Sequence, residues 1–265
     1  MAAPNILCDT AGMDRPTWLA ARMHGPKGDI PYTVGGSDVA AIFGVSPWTT
    51  PLELWMIKKG RAKPSVKANA NQLEMGHFLE PIAAHFYAVK TGNTVIEDTN
   101  MYQHADHKYA LADIDRRIIR ANDGEPGVLE CKSCTYHNAS EWANDKYPLY
   151  YEFQLRYYLA VLDLSYGDFS ALWGNNPDND MAMPGLVRDK AKEDMIFEDG
   201  KYYPMMHVVP CTFGKQEKQI AENLAERCKK TGTQHLGEGE LPSVSSVSKE
   251  EAQKLLRVQD RFGPC

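Results

Sequence analysis

The sequence predicts an α/β fold, a central mixed β-sheet flanked by helices, and three features carry that prediction. Residues Tyr109 to Ile119 place apolar and charged residues in near-alternation, the period of a half-buried strand. Gly127 to Lys132 reads as a second strand, separated from the first by the turn-forming run Asn122 to Gly127. Segments with apolar residues at helical spacing lie on both sides of this hairpin in the chain.

Taken in order, residues 14 to 24 suit a first helix, with Asp14 as N-cap and Pro16 in the first turn. Gly35-Gly36 supplies permissive backbone before Ser37-Asp38, and Val39, Ala40, Ile42 and Phe43 then make a short apolar helical face ending at Gly44. A third helix begins near Pro51 and runs into the basic stretch Lys58 to Arg61. The next helix sets Leu73, Phe78, Leu79, Ile82, Phe86 and Val89 on its apolar side and stops at Gly92, with Pro81 expected to kink or divide it. After Pro148 comes an aromatic-rich helix whose tyrosines read as core. Strands follow at Gly167 to Trp173 and Met205 to Val209, then a late helix over Phe213 to Lys230. Small and polar residues from Gly237 to Ser248 read as a linker, and Ser248 with Glu251 as a capping box opening a short tail helix. The expected organisation is one domain over residues 1–235 and a linker with a helical tail over 236–265.

Composition bounds the class. A chain of 265 residues with 43% hydrophobic and 10% aromatic content can bury a substantial core. No apolar run is long enough to cross a bilayer, and the residues after Met1 lack a basic segment followed by an apolar one. Six scattered cysteines do not make a disulfide framework, so a reducing compartment is expected. With 29 Lys plus Arg against 35 Asp plus Glu, the net charge of -6 excludes a uniformly basic nucleic-acid coat, because neutralising phosphates demands positive charge. Cations concentrated in a channel remain compatible with it. Candidates are Arg22, Lys58, Lys59, Arg61, Lys63, Lys67, Arg116, Arg117 and Arg156.

The chemistry sits in the hairpin. Strand periodicity puts Glu130 and Lys132 on one face and Cys131 on the other. Asp115, on the partner strand, comes near Glu130. Two carboxylates can hold a hard divalent cation through oxygen, and an ammonium beside them can orient an attacking water.

Seven blocks, in order, resemble a known family. They are Trp18 to Arg22, Val34 to Gly44, Ser46 to Trp48, Gly76 to Pro81, Leu111 to Asp115, Leu129 to Lys132, and Tyr151 to Val161. Together they resemble the YqaJ-like viral recombinase group, relatives of phage lambda exonuclease within the PD-(D/E)XK nuclease superfamily. The resemblance implies a restriction-endonuclease-like core and a Mg²⁺-dependent 5′-to-3′ exonuclease acting on double-stranded DNA ends, with Mn²⁺ as a substitute ion. It further implies 3′ single-stranded overhangs handed to a strand-annealing protein, a homotrimeric ring, and a phage- or prophage-encoded protein of the bacterial cytoplasm. In its terms Asp115, Glu130 and the Cys131 backbone carbonyl bind metal, and Glu80 assists through a water or a second ion. Lys132 positions the attacking water, Gln154 supports it, and Arg22 and Ser37 hold a terminal 5′-phosphate. Arg156 stands where a second glutamine is common and receives no role.

Two other readings stay open at this level: a structure-specific or restriction-type endonuclease, which would share the catalytic residues, and a noncatalytic DNA-binding recombination scaffold. Cys131 and Cys134 have half of a zinc or redox spacing without the second pair, and His104 with His107 reads as a surface turn. No phosphate-binding Gly-x-x-x-x-Gly-Lys loop is present, which removes an ATP-driven motor.

Overall fold

The structure is a computed structural model and describes residues 3–63 and 70–197. In chain order its first elements are β1 (Asn5–Asp9), α1 (Arg15–His24), α2 (Gly36–Ile42), α3 (Pro51–Lys58) and α4 (Ala70–Thr91). There follow β2 (Thr94–Glu97), β3 (Asn100–Gln103), β4 (Leu111–Asp113), β5 (Arg116–Ile119) and β6 (Pro126–Ser133). A run of 3-10 turns (Tyr136–Asp145) leads into α5 (Leu149–Leu162), β7 (Tyr166–Leu172), β8 (Met181–Ala182), β9 (Gly185–Val187) and α6 (Lys190–Phe197). Lys67, the strand expected at Met205 to Val209, the helix at Phe213 to Lys230, the boundary at 235/236 and the tail all lie outside the described residues.

The chain divides into two compact units, Met1–Ala40 with Asn69–Ile196, and Ala41–Ala68 with Phe197–Cys265. In the second unit, α3 starts with Thr50 and Glu53 in a capping box, and Arg61 stacks over Trp55 at 4.7 Å. Every residue of the site described below belongs to the first unit.

That unit is built on a mixed six-stranded sheet in the order β2-β5-β6-β7-β8, with β9 also pairing β7. β6 and β7 run parallel; the other pairs are antiparallel. Alternation along β6 divides its neighbours. Leu129 and Cys131 pack against Ala83, Ala84 and Tyr87 of α4, while Glu130 meets Gln154 of α5. The sheet is thus held between two helices, as the fold class requires. Gly167 is small for a reason, since a Cβ there would lie 2.8 Å from Leu155 Cδ1 on α5.

The segment from Tyr109 to Ile119 is not one strand. β4 pairs with β3 in a separate sheet of order β1-β3-β4, whereas β5 pairs with β2 and β6. Following both sets of partners requires the chain to leave one sheet and join the other, and it does so at Ile114 and Asp115. The apolar side of α4 also differs from expectation. Phe78, Ile82 and Val89 are exposed, and the face against the sheet uses Leu79, Ala83, Ala84 and Tyr87. Two alanines allow the helix to approach so closely that Ser170 Oγ donates to the Ala83 carbonyl at 2.8 Å. Pro81 lies inside this single helix without dividing it.

No helix among the described residues is long and apolar enough to cross a membrane. Cys8, Cys131 and Cys134 are free thiols. His104 is buried rather than on the surface, and its Nδ1 accepts from the backbone amides of Asp106 and His107, capping the turn.

Candidate active site

The site forms where the chain changes sheets. β5 pairs Arg116 with Leu129, so Asp115 comes opposite Glu130 one step beyond the ladder. There the Cys131 backbone amide donates to Asp115 Oδ2 at 2.8 Å, fixing the carboxylate against β6. Lys132 Nζ donates to Glu130 Oε1 at 2.5 Å and to Gln154 Oε1 at 3.3 Å, and it lies 4.5 Å from the centre of the Tyr151 ring. Gln154 Nε2 in turn donates to Glu130 Oε1 at 2.6 Å and to Tyr158 Oη at 3.1 Å. Gln154 and Tyr158 stand one helical turn apart on α5 and so present to one place.

Burial sets the electrostatics. Glu130 is 1% exposed, and burial together with the charge of Asp115 pushes its carboxyl up to about 8, against the pull of Lys132. Burial alone would lower the Lys132 ammonium, but Glu130 and Asp115 outweigh it and raise it. On α4, burial and the charge of Asp115 raise Glu80, opposed by Arg116. Arg116 Nη1 donates to Glu80 Oε1 at 2.6 Å and to the Asp115 carbonyl at 2.5 Å.

These donors fit a hard divalent cation. All are oxygens, and Glu130 Oε2 is buried with no hydrogen-bond partner among the described residues, an unmet demand that a cation satisfies. Among the described residues no three His, Cys, Asp or Glu side chains form a complete cage. An ion of the magnesium type does not need one, because it keeps several waters and takes one or two carboxylates plus substrate phosphate.

Arg22 and Ser37 are brought beside this site. Val34 is threaded along β4, its amide donating to the Tyr109 carbonyl and its carbonyl accepting from the Leu111 amide, while Tyr157 Oη donates to the same carbonyl at 2.6 Å. Gly36 then passes so close to Tyr158 that a Cβ would lie 2.5 Å from ring atom Cε1. Arg22 Nη2 donates to Ser37 Oγ, and its guanidinium covers Trp18 at 5.0 Å. The loop amides are less open to an anion than the glycines suggest, since the Gly35 amide already donates to Asp38 Oδ2 at 2.9 Å.

Sequence reasoning passed over Trp18 and Asp113, whose side chains meet through Trp18 Nε1 and Asp113 Oδ2 at 2.5 Å, and it treated Tyr151 and Tyr158 as core. The signal was present in the spacing: Trp18 precedes Arg22 by four, and Tyr158 follows Gln154 by four. Several expected channel cations serve other ends. Arg117 donates to Asp98 and Tyr102, Arg156 is buried against Glu152 and the Val187 carbonyl, Arg116 binds Glu80, and Lys58 is buried.

The fold is similar to that of a solved alkaline exonuclease. LHK-Exo in complex with dAMP superposes with a TM-score of 0.56 at 19% identity, over 81% of this chain and 98% of that one. A further structure of the same alkaline exonuclease, from Laribacter hongkongensis, gives 0.53 at 20% identity over the same shares. At such identity the likeness is one of fold. The chain itself belongs to the YqaJ-like viral recombinase domain family, whose sequence profile matches residues 17–165. It is 32% identical over 195 residues to the YqaJ protein of Bacillus subtilis strain 168, across 73% of this chain and 56% of that protein, so it spans little more than half of that relative's length.

Proposed function

We propose that this protein is a cation-dependent deoxyribonuclease that degrades double-stranded DNA from its ends in the 5′-to-3′ direction, leaving 3′ overhangs. The observation that carries the reading is Glu130, a fully buried carboxylate with one oxygen held by Lys132 and Gln154 and the other without a partner among the described residues. Glu130 and Asp115 would hold the cation, Mg²⁺ or Mn²⁺, and the Cys131 carbonyl is its third protein oxygen in the family pattern. When bound, that ion supplies Lewis-acid activation of water and offsets charge on the scissile phosphate.

The chain's own residues do the rest. Lys132, kept charged by its two carboxylate neighbours, orients the attacking water and stabilises the charge developing on phosphate oxygen. Gln154 fixes both Glu130 and Lys132, so their geometry is set before substrate arrives. Arg22 and Ser37 offer a guanidinium and a hydroxyl to a terminal 5′-phosphate, the basis of end selection. We further propose a homotrimer and a strand-annealing partner for the product strand.

The test is nucleotide release from linear duplex DNA with Mg²⁺, with Mn²⁺ and with a chelator. Release in both metals and none in chelator is expected. Equal release in chelator would remove the metal from the account.

A further inference from the structure

Glu80 is a third carboxylate near the site, close enough to feel the charge of Asp115 and to act on Glu130, although the three do not group into a ready cage among the described residues. Three carboxylates at one site can serve a pair of divalent ions bridging a phosphodiester. The surroundings of Glu80 argue otherwise. Arg116 Nη1 lies 2.6 Å from Glu80 Oε1, and the same nitrogen holds the backbone carbonyl of Asp115 at 2.5 Å. The ion pair is poorly exposed, 15% for the Arg116 side chain and 24% for that of Glu80, so water screens it weakly. Arg116 is also the first residue of β5 and pairs with Leu129, whose side chain packs on α4. It therefore belongs to the α4 face, where Glu80 is, whereas Glu130 and Lys132 meet α5.

We infer that the Arg116 guanidinium stands in for a second cation at Glu80, so that this site takes one divalent ion. Arg116 is then a positioning residue, tying α4 to the backbone of Asp115 and leaving Asp115 and Glu130 to the metal.

The local charges agree: Glu80 already meets the positive charge of Arg116 at 2.6 Å, and a divalent ion brought to it would be repelled by that guanidinium in a poorly screened place. This inference rests on the metal-binding reading of Asp115 and Glu130.

The experiment counts ions on the full chain, with Mn²⁺ alone as the probe, by the loss of the free-ion paramagnetic resonance signal. The parent should saturate at one Mn²⁺ per chain. Arg116→Gln, which frees Glu80 without adding charge, should approach two, and Arg116→Lys, which keeps the charge, should stay at one. Two ions on the parent, or one on all three proteins, would overturn the inference and leave the metal reading intact. No ion on the parent would overturn the metal reading and this inference with it. Should Arg116→Gln lose its circular dichroism, Glu80→Gln decides the matter. Its count and affinity should match the parent, while a loss beyond about tenfold, the scale of a removed metal partner, would make Glu80 a ligand and refute the inference.

Discussion

The backbone amide of Cys131 donates to Asp115 Oδ2 at 2.8 Å, so β6 itself aims the carboxylate that the chain presents as it passes from one sheet to the other. One oxygen is thereby fixed by the fold, and a cation meets a ligand that needs little reorganisation. Asp115→Asn would keep the shape and lose the charge a hard ion requires. Calorimetric titration with Mn²⁺ should show affinity lowered by about tenfold or more, on the scale expected when a ligand sphere is damaged. Unchanged affinity and stoichiometry would take Asp115 out of the ligand set.

Glu130→Gln keeps the shape of the side chain and an oxygen that can accept from Lys132 and Gln154, but it leaves the buried Lys132 ammonium without its ion-pair partner, so the thermal midpoint should fall. DNA cleavage should fall as well, by at least about a hundredfold, since the anionic ligand is gone. A variant that melts with the parent and still turns over normally would refute the assignment.

Lys132→Ala should lose cleavage on a similar scale and also stability, because Glu130 would stay buried without its ion pair. Breaking such a pair costs about 3–5 kcal/mol, less whatever Glu130 recovers by binding a proton. Urea unfolding monitored by fluorescence measures this, and a midpoint equal to the parent's would show that the pair adds nothing to folding.

A fourth expectation concerns the two glycines before Ser37. At Gly36 an added Cβ would meet the buried Tyr158 ring at 2.5 Å, and Gly36→Ala should cost about 1–3 kcal/mol in the same unfolding assay. At Gly35 the atoms nearest to an added Cβ belong to the Arg22 guanidinium, 3.0 Å away, the far end of a flexible side chain that can yield. Gly35→Ala should therefore fold almost normally and weaken the preference for 5′-phosphorylated ends. If Gly36→Ala proves as stable as the parent, the close approach to Tyr158 is not structural.

What the sequence disclosed and what it hid follow from the range of each interaction. Local signals were reliable: Asp14 caps α1, Gly44 and Gly92 adopt positive φ at helix ends, and Glu130 and Lys132 share a strand face. Signals that depend on distant partners were not. The alternation from Tyr109 to Ile119 is continuous, yet its two halves pair in different sheets, which no local pattern encodes. On α4 the larger apolar residues Phe78, Ile82 and Val89 drew attention, while close packing against the sheet selected Ala83 and Ala84. Around the site, the Arg116–Glu80 and Trp18–Asp113 contacts join residues 36 and 95 positions apart, beyond the reach of any motif.

Attack from DNA ends is what separates this protein from an internal cutter, and labelled termini report it. Linear duplexes labelled at the 5′ or 3′ terminus, with and without 5′-phosphate, would be digested beside a covalently closed circle of the same sequence. Early loss of the 5′ label, faster digestion of phosphorylated ends, a sharp drop in that preference with Arg22→Ala, and an intact circle are expected. Rapid cutting of the circle, or equal slowing of phosphorylated and hydroxyl ends by Arg22→Ala, would rule out end-directed cleavage and identify an internal cutter instead.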